Sequence, residues 1–193
     1  MILQNLQQYE IILASQSPRR QQLLSDLGLQ FTVQSMDINE EFPSELGMNE
    51  IPVYLAELKA TAFLPQLKSN QLVITADTIV WLDGQIMNKP KDYEDGFRML
   101  RNLSAKKHQV ITGVCLLSTH KQNTFFASTD VWFSQLSDDE INYYLETFRP
   151  YDKAGAYGIQ EWIGYIGIHR IEGSFYNVMG LPIQSLYEHL KAF

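Results

Sequence analysis

The chain has 193 residues, 45% hydrophobic and 19% charged, which is enough apolar material for one sizeable core or two small lobes. Its net charge of -7, from 22 acidic against 15 basic residues, disfavours broad binding to nucleic acid or an anionic membrane, so any anionic ligand must be met by a local basic cluster. No apolar stretch approaches the roughly 20 residues that span a bilayer, MILQNLQQYE lacks a signal-peptide pattern, and the single Cys115 excludes an intramolecular disulfide framework and suits a reducing cytoplasm.

YEIILA predicts a short strand. Ser17 can cap the segment that follows, Pro18 suits the first helical position, and QQLLSDLG carries helical apolar spacing closed by Gly28. Arg19 and Arg20 therefore fall in a first helical turn, where an exposed cation costs roughly 0.3–1 kcal/mol against the helix dipole. A negative partner is expected there, either a carboxylate such as Asp26 or Glu40 or a bound anion. FTVQSM predicts a second strand, DINEEFPSELGMNEIP a polar loop, and VYLAELKATAFL a helix carrying Lys59. LVITADTIVWL is a long apolar strand interrupted by Asp77 and closed by the turn signal Asp83-Gly84, before QIMNKPKD with Lys89.

YEDGFRMLRNL predicts an amphipathic helix, and HQVITGVCLLST with TFFASTDVWFSQL predicts a hairpin across HKQN. Ser137 and Glu140 form a capping box ahead of INYYLETF. The loop RPYDKAGAYGIQ follows, then a strand in WIGYIGIHRI, a second glycine-rich loop in EGSFYNVMGLP and a terminal helix in IQSLYEHLKAF. This alternation predicts an α/β or α+β fold with a mixed sheet, in one compact unit.

Asp77 is the sharpest chemical signal. An ionised carboxylate inside LVITADTIV costs several kcal/mol unless it is paired, hydrogen-bonded or bound to a cation; the alternative is a strand end, with Asp77 accepting turn N–H groups. Lys59 and Lys89 taken singly read as solvated cations. DKAGAYG permits close backbone approach to a ligand and equally describes a turn. The four histidines, His108, His120, His169 and His189, lack zinc-ligand spacing. There is no GxxxxGK[ST] and no GxGxxG, so neither a P-loop nor a dinucleotide fingerprint is present.

Taken together, ASQSPRR, Lys59 in ELKATAF, TADTIV, NKPKD, HQVITGV, DKAGAYGIQ and IEGSFYNVMGLP resemble, in order, the motifs of the Maf family of nucleotide pyrophosphatases, over about Ile11 to Leu190. The resemblance implies hydrolysis of nucleoside triphosphates to monophosphate and pyrophosphate with a divalent cation, Mg2+ or Mn2+. It also implies an elongated mixed sheet flanked by helices, with two lobes and a central cleft. A triphosphate brings about four negative charges, and the first-turn N–H groups, the Ser15 and Ser17 hydroxyls, Arg19 and Arg20 would cradle it.

By the same resemblance, Asp77 stands at the position of the proton acceptor and Glu40 at that of an acidic metal-holding residue, with Asp77 a second metal ligand. Lys59, Lys89 and Lys153 would hold phosphate as point charges. AGAYGIQ is similar to the branch acting on dTTP and UTP, which makes Arg19, Thr78 and Gln160 specificity positions; an amide offers the donor and acceptor that a uracil or thymine edge needs. INE replaces a more usual VDE, which leaves Glu41 as an alternative to Glu40, while Asn88 and SAKKHQV are further departures that remove no proposed catalytic group. A nucleotide-binding regulator of cell division and septum formation, or a phosphatase acting at the γ position, would use the same cradle. The sequence leaves the oligomeric state open; homodimers are common in such families, and exposed aromatics among the ten Tyr and ten Phe residues could serve an interface.

Overall fold

The computed structural model describes residues 3–193. Its strands are β1 Glu10–Leu13, β2 Phe31–Val33, β3 Gln71–Leu82, β4 Gln85–Met87, β5 Lys107–Leu117, β6 Gln122–Phe133 and β7 Ile168–Glu172. Its α-helices are α1 Pro18–Asp26, α2 Glu50–Thr61, α3 Tyr93–Leu103, α4 Asp138–Phe148, α5 Trp162–Gly167, α6 Phe175–Val178 and α7 Ile183–Lys191. The strands form a mixed sheet in the order β2-β1-β3-β5-β6-β7, with β4 paired to β3. β1 runs parallel to both neighbours, Ile11 standing opposite Phe31 and Leu72, whereas β4 and β7 are antiparallel to β3 and β6.

The chain divides into two units, one holding residues up to Asp77 with Thr112–Ala127 and Gly180–Phe193, the other Thr78–Ile111 with Ser128–Met179. In the first, Ile12, Val73, Cys115 and Leu117 pack with Ala56, Ala60 and Phe63. Two contacts fix α2 against the sheet. A Cβ on Gly113 would lie 2.3 Å from the carbonyl carbon and oxygen of Pro52, so the first turn of α2 rests on the bare backbone of β5. The Thr75 hydroxyl, fully buried, donates to the Ala56 carbonyl at 2.6 Å. Thr75 and Asp77 share one face of β3, and Ala56 and Lys59 share one face of α2, so this bond brings the lysine to the aspartate.

The second unit is built on a larger core that includes Val80, Leu100, Leu103, Val131, Phe133, Ile141, Tyr144 and Ile163. The expected capping box is present: Ser137 Oγ accepts from Glu140 N at 3.2 Å and Glu140 accepts from Ser137 N at 2.7 Å. Asp92 caps α3 by a single bond, its side chain accepting from Asp95 N at 2.9 Å.

Several boundaries differ from the sequence expectation. α2 begins at Glu50 and takes in Pro52, which the first turn tolerates because N–H groups there have no helical partner. Asp83 and Gly84, both at positive φ, turn β3 into β4, so QIM is a strand. WIGYIG is helical: Ile159, Ile163 and Gly167, four residues apart, are the buried positions, a spacing that a short apolar run conceals. EGSFYNVMG contains α6, capped by Ser174 accepting from Asn177 N at 3.3 Å; buried Asn177 then donates to Val110 O and Thr129 Oγ1, each at 3.0 Å.

Candidate active site

The first unit assembles most of the charged candidates. Pro18 opens α1 and Ser17 stands at its N-cap, but the expected side-chain cap is not made; instead the buried Ser15 hydroxyl accepts from Ser17 N at 3.2 Å. Arg19 and Arg20 lie in the first turn, both half-buried. Arg20 is met by main-chain oxygens, Nε donating to Gly180 O at 2.7 Å and Nη1 to Ala76 O at 2.8 Å. Asp26, one of the carboxylates considered for it, takes a hydrogen bond from Gln22 at 2.7 Å. Burial pulls the Arg20 guanidinium below its ordinary value; the Asp77 charge opposes this, Arg19 adds to it, and Glu40 opposes it. An arginine whose environment holds carboxylates and carbonyls stays charged.

Asp77 lies in the middle of the twelve-residue β3 rather than at a strand end. Its Oδ1 accepts from Lys59 Nζ, and the same ammonium is 3.0 Å from Glu40 Oε1. The Lys59 and Asp77 side chains are only 18% and 13% exposed, whereas Glu40 is 55% exposed. Removing one member of so shielded a pair strands the other, which costs more than the pair itself contributes. Two carboxylate oxygens on separate segments thus converge on one positive atom. That hard-oxygen donor set fits Mg2+ or Mn2+, which take one or two carboxylates and fill their other positions with phosphate and water. No group of three or more His, Cys, Asp or Glu side chains is arranged for a metal among the described residues.

Thr78, Lys89, Lys153 and Gln160 belong to the second unit. Thr78 is half-buried beside Asp77 in sequence, and Lys89 is exposed in the loop after β4. That loop is joined to DKAGAYG by Gly155 N donating to Asn88 O at 3.1 Å. Lys153, expected as a cation open to phosphate, is instead 9% exposed and held between Asp152 Oδ1 at 2.7 Å and Glu161 Oε1 at 3.0 Å. Gln160 is half-buried, and its Oε1 is shielded from solvent with no hydrogen-bond partner. An unmatched buried carbonyl costs about 1–3 kcal/mol.

Sequence reasoning passed over Glu161 and Tyr144, which bond each other beside Gln160. A charge inside the apolar run GIQEWIG was the available signal for Glu161; Tyr144 had none, because its spacing in α4 is that of an ordinary core residue.

A family model described as Maf-like protein matches residues 10–193. The dTTP/UTP pyrophosphatase of Bacteroides thetaiotaomicron is 54% identical to this chain, over 98% of this chain and 99% of that protein. The dTTP/UTP pyrophosphatase of Porphyromonas gingivalis is 54% identical over 100% of this chain and 98% of its own length. Among solved structures, the Staphylococcus aureus Ham1 protein aligns with a TM-score of 0.42 and 16% identity, over 64% of this chain and 71% of that one. With a family match running from the first strand to the last residue, and the ordered motifs in place, this chain belongs to the Maf family.

Proposed function

We propose that this chain hydrolyses dTTP and UTP to the nucleoside monophosphate and pyrophosphate, using Mg2+ or Mn2+. The observation that carries the reading is the convergence of Asp77, Lys59 and Glu40, in a chain alike over its full length to proteins named for that activity. In this reading the first-turn N–H groups of α1 hold the triphosphate, with Ser15, Ser17, Arg19 and Arg20. Arg20, tied to Ala76 O and Gly180 O, also fixes the start of α1 next to the Asp77 segment.

Asp77 takes the proton of a water whose oxygen attacks the α-phosphorus in line. The bond from that phosphorus to the bridging oxygen breaks, and pyrophosphate leaves with the electron pair. Lys59 occupies Oδ1, so Oδ2 is the oxygen assigned to the water. Lys59 and Lys89 balance charge on the phosphates. A divalent cation bound through Glu40 and Asp77 would supply neutralisation of phosphate charge. Thr78 and Gln160 read the base, the glutamine amide offering the donor and acceptor that a uracil or thymine edge needs.

No helix of the described residues is long and apolar enough to cross a membrane. A cytoplasmic location is part of the proposal, supported by the single cysteine, Cys115, which is free and buried. A homodimer is part of the same proposal, supported by the exposed aromatics Tyr143, Tyr165, Phe175 and Tyr176. Chromatography of reactions with dTTP or UTP and Mg2+ tests the activity. Monophosphate and pyrophosphate are expected; diphosphate and orthophosphate, or tight binding without turnover, would overturn it.

A further inference from the structure

Lys89 departs from a loop whose main chain is held on both sides of it. Before the lysine, Gly155 N donates to Asn88 O at 3.1 Å. After it, Lys91 N donates to Asp95 Oδ2 at 3.1 Å. Between these two bonds Pro90 is buried, and a residue that precedes proline is disfavoured in the helical region, which narrows the backbone of Lys89 further. The Lys89 side chain is exposed and makes no hydrogen bond or ion pair among the described residues. The backbone under this cation is thus fixed, while its ammonium is left to a ligand or to water.

Asp95 is a carboxylate where the fold alone gives little reason for one. It is 8% exposed, and its Oδ1 accepts from Arg98, whose side chain is 72% exposed. An arginine so open to water offsets the cost of burying the carboxylate only in part. Asp95 stands at the N3 position of α3, from which the acidic residue of a capping box reaches back to the N-cap N–H. Glu140 does this in α4, accepting from Ser137 N. Asp95 reaches one residue further, past the N-cap Asp92 to Lys91 N. Its bond therefore ties the Lys89 loop to the helix instead of closing the helix end.

We infer that Asp95 is a positioning residue for Lys89: by fixing Lys91 N it sets the backbone from which the lysine reaches a phosphate oxygen, so that little order has to be imposed on the loop when the nucleotide binds. Arg98 balances charge and does not hold the loop, since it bonds Oδ1 whereas Lys91 N bonds Oδ2. The inference rests on the reading of Lys89 as a phosphate-holding cation.

The test is a double-mutant cycle in kcat/KM for pyrophosphate release from UTP, with a urea midpoint for every variant: Lys89→Ala, Asp95→Ala, the two combined, Asp95→Asn and Arg98→Ala. Asp95→Ala should lower kcat/KM at least about ten-fold, as misplacing a binding group does, and Lys89→Ala by at least as much. Added to Lys89→Ala, Asp95→Ala should cost less than about two-fold, because the group it places is already gone. Asp95→Asn keeps a carbonyl oxygen for Lys91 N, and Arg98→Ala keeps both ends of that bond, so each should stay within about three-fold of the parent. An equal loss from Asp95→Ala in both backgrounds would overturn the inference, since support of the fold acts whether or not the lysine is present. A loss in Arg98→Ala as large as that in Asp95→Ala would overturn it as well. If Lys89→Ala turns over normally, the phosphate reading of Lys89 fails and the inference with it; if Lys89→Ala is defective and Asp95→Ala is not, the inference alone fails. Should Asp95→Ala not fold, Lys91→Pro, which removes the donor and leaves the Asp95–Arg98 pair, takes its place in the cycle.

Discussion

Lys59, in the last turn of α2, and Asp77, in the middle of β3, form an ion pair that is largely shielded from solvent. The pair exists because Thr75 bonds Ala56 across the same two faces, placing lysine and carboxylate one step further along their elements. It resolves the anomaly of a charge inside an apolar strand: the carboxylate is tolerated because an ammonium meets it. Asp77→Asn keeps the shape of the side chain but removes its basicity. Steady-state turnover of dTTP should fall at least about 100-fold while circular dichroism stays near the parent spectrum; the melting temperature falls, because Lys59 is left with the exposed Glu40 alone. Near-normal turnover would move water activation to another residue, with Glu40 next.

Glu40 is the more exposed arm of the same convergence, so its loss should be tolerated by the fold. In Glu40→Gln the Mg2+ concentration giving half-maximal rate should rise at least about ten-fold, the low end of the usual cost of losing metal-site residues. A chelator should abolish turnover and added Mg2+ restore it. Titration of Mn2+ by electron spin resonance checks the weakened binding directly. An unchanged metal requirement would shift the ligand role to the neighbouring Glu41.

Gly113 bears on function through geometry alone. Gly113→Val places atoms where Pro52 already stands, so α2 must shift or tilt. Overpacking of this kind costs about 1–3 kcal/mol, and backbone contact sets it at the upper end. The expected result is a lowered urea midpoint together with reduced turnover, because the shift carries Lys59 away from Asp77. Full activity in a destabilised variant would show that α2 relaxes without moving the lysine.

His108 makes stability depend on pH. Burial holds its imidazole down to about 3, with the Asp130 charge opposing, and Nε2 lies 2.7 Å from the Tyr157 hydroxyl. The folded value lies below that of the unfolded chain, about 6.5, so between these values the unfolded chain binds the proton and stability falls as pH falls. Between pH 7 and 4.5 the loss from this group is on the order of 2–3 kcal/mol. Urea unfolding of the parent and His108→Gln across that range should show the parent losing more; parallel curves would contradict the assignment.

The order of strands and helices was legible wherever a cap or a long period marked it. Ser137 with Glu140 and the long apolar run of β5 are examples. The reading failed where six apolar residues such as WIGYIG fit both periods, and where Ser174 and Asn177 hid a short helix among glycines. At the site, Asp77, Lys59 and Glu40 were legible as charges, but their meeting on one ammonium depends on Thr75, which looked like any strand residue. The pairing of Lys153 with Glu161 was not legible, because Glu161 lies eight positions on, across a turn whose closure sequence spacing does not encode.

Attack by water on the α-phosphorus is decided by hydrolysis of dTTP with Mg2+ in water enriched in oxygen-18, followed by mass spectrometry of both products. One labelled oxygen in thymidine monophosphate and none in pyrophosphate is the predicted result. Label in pyrophosphate, or thymidine diphosphate with labelled orthophosphate, would contradict it.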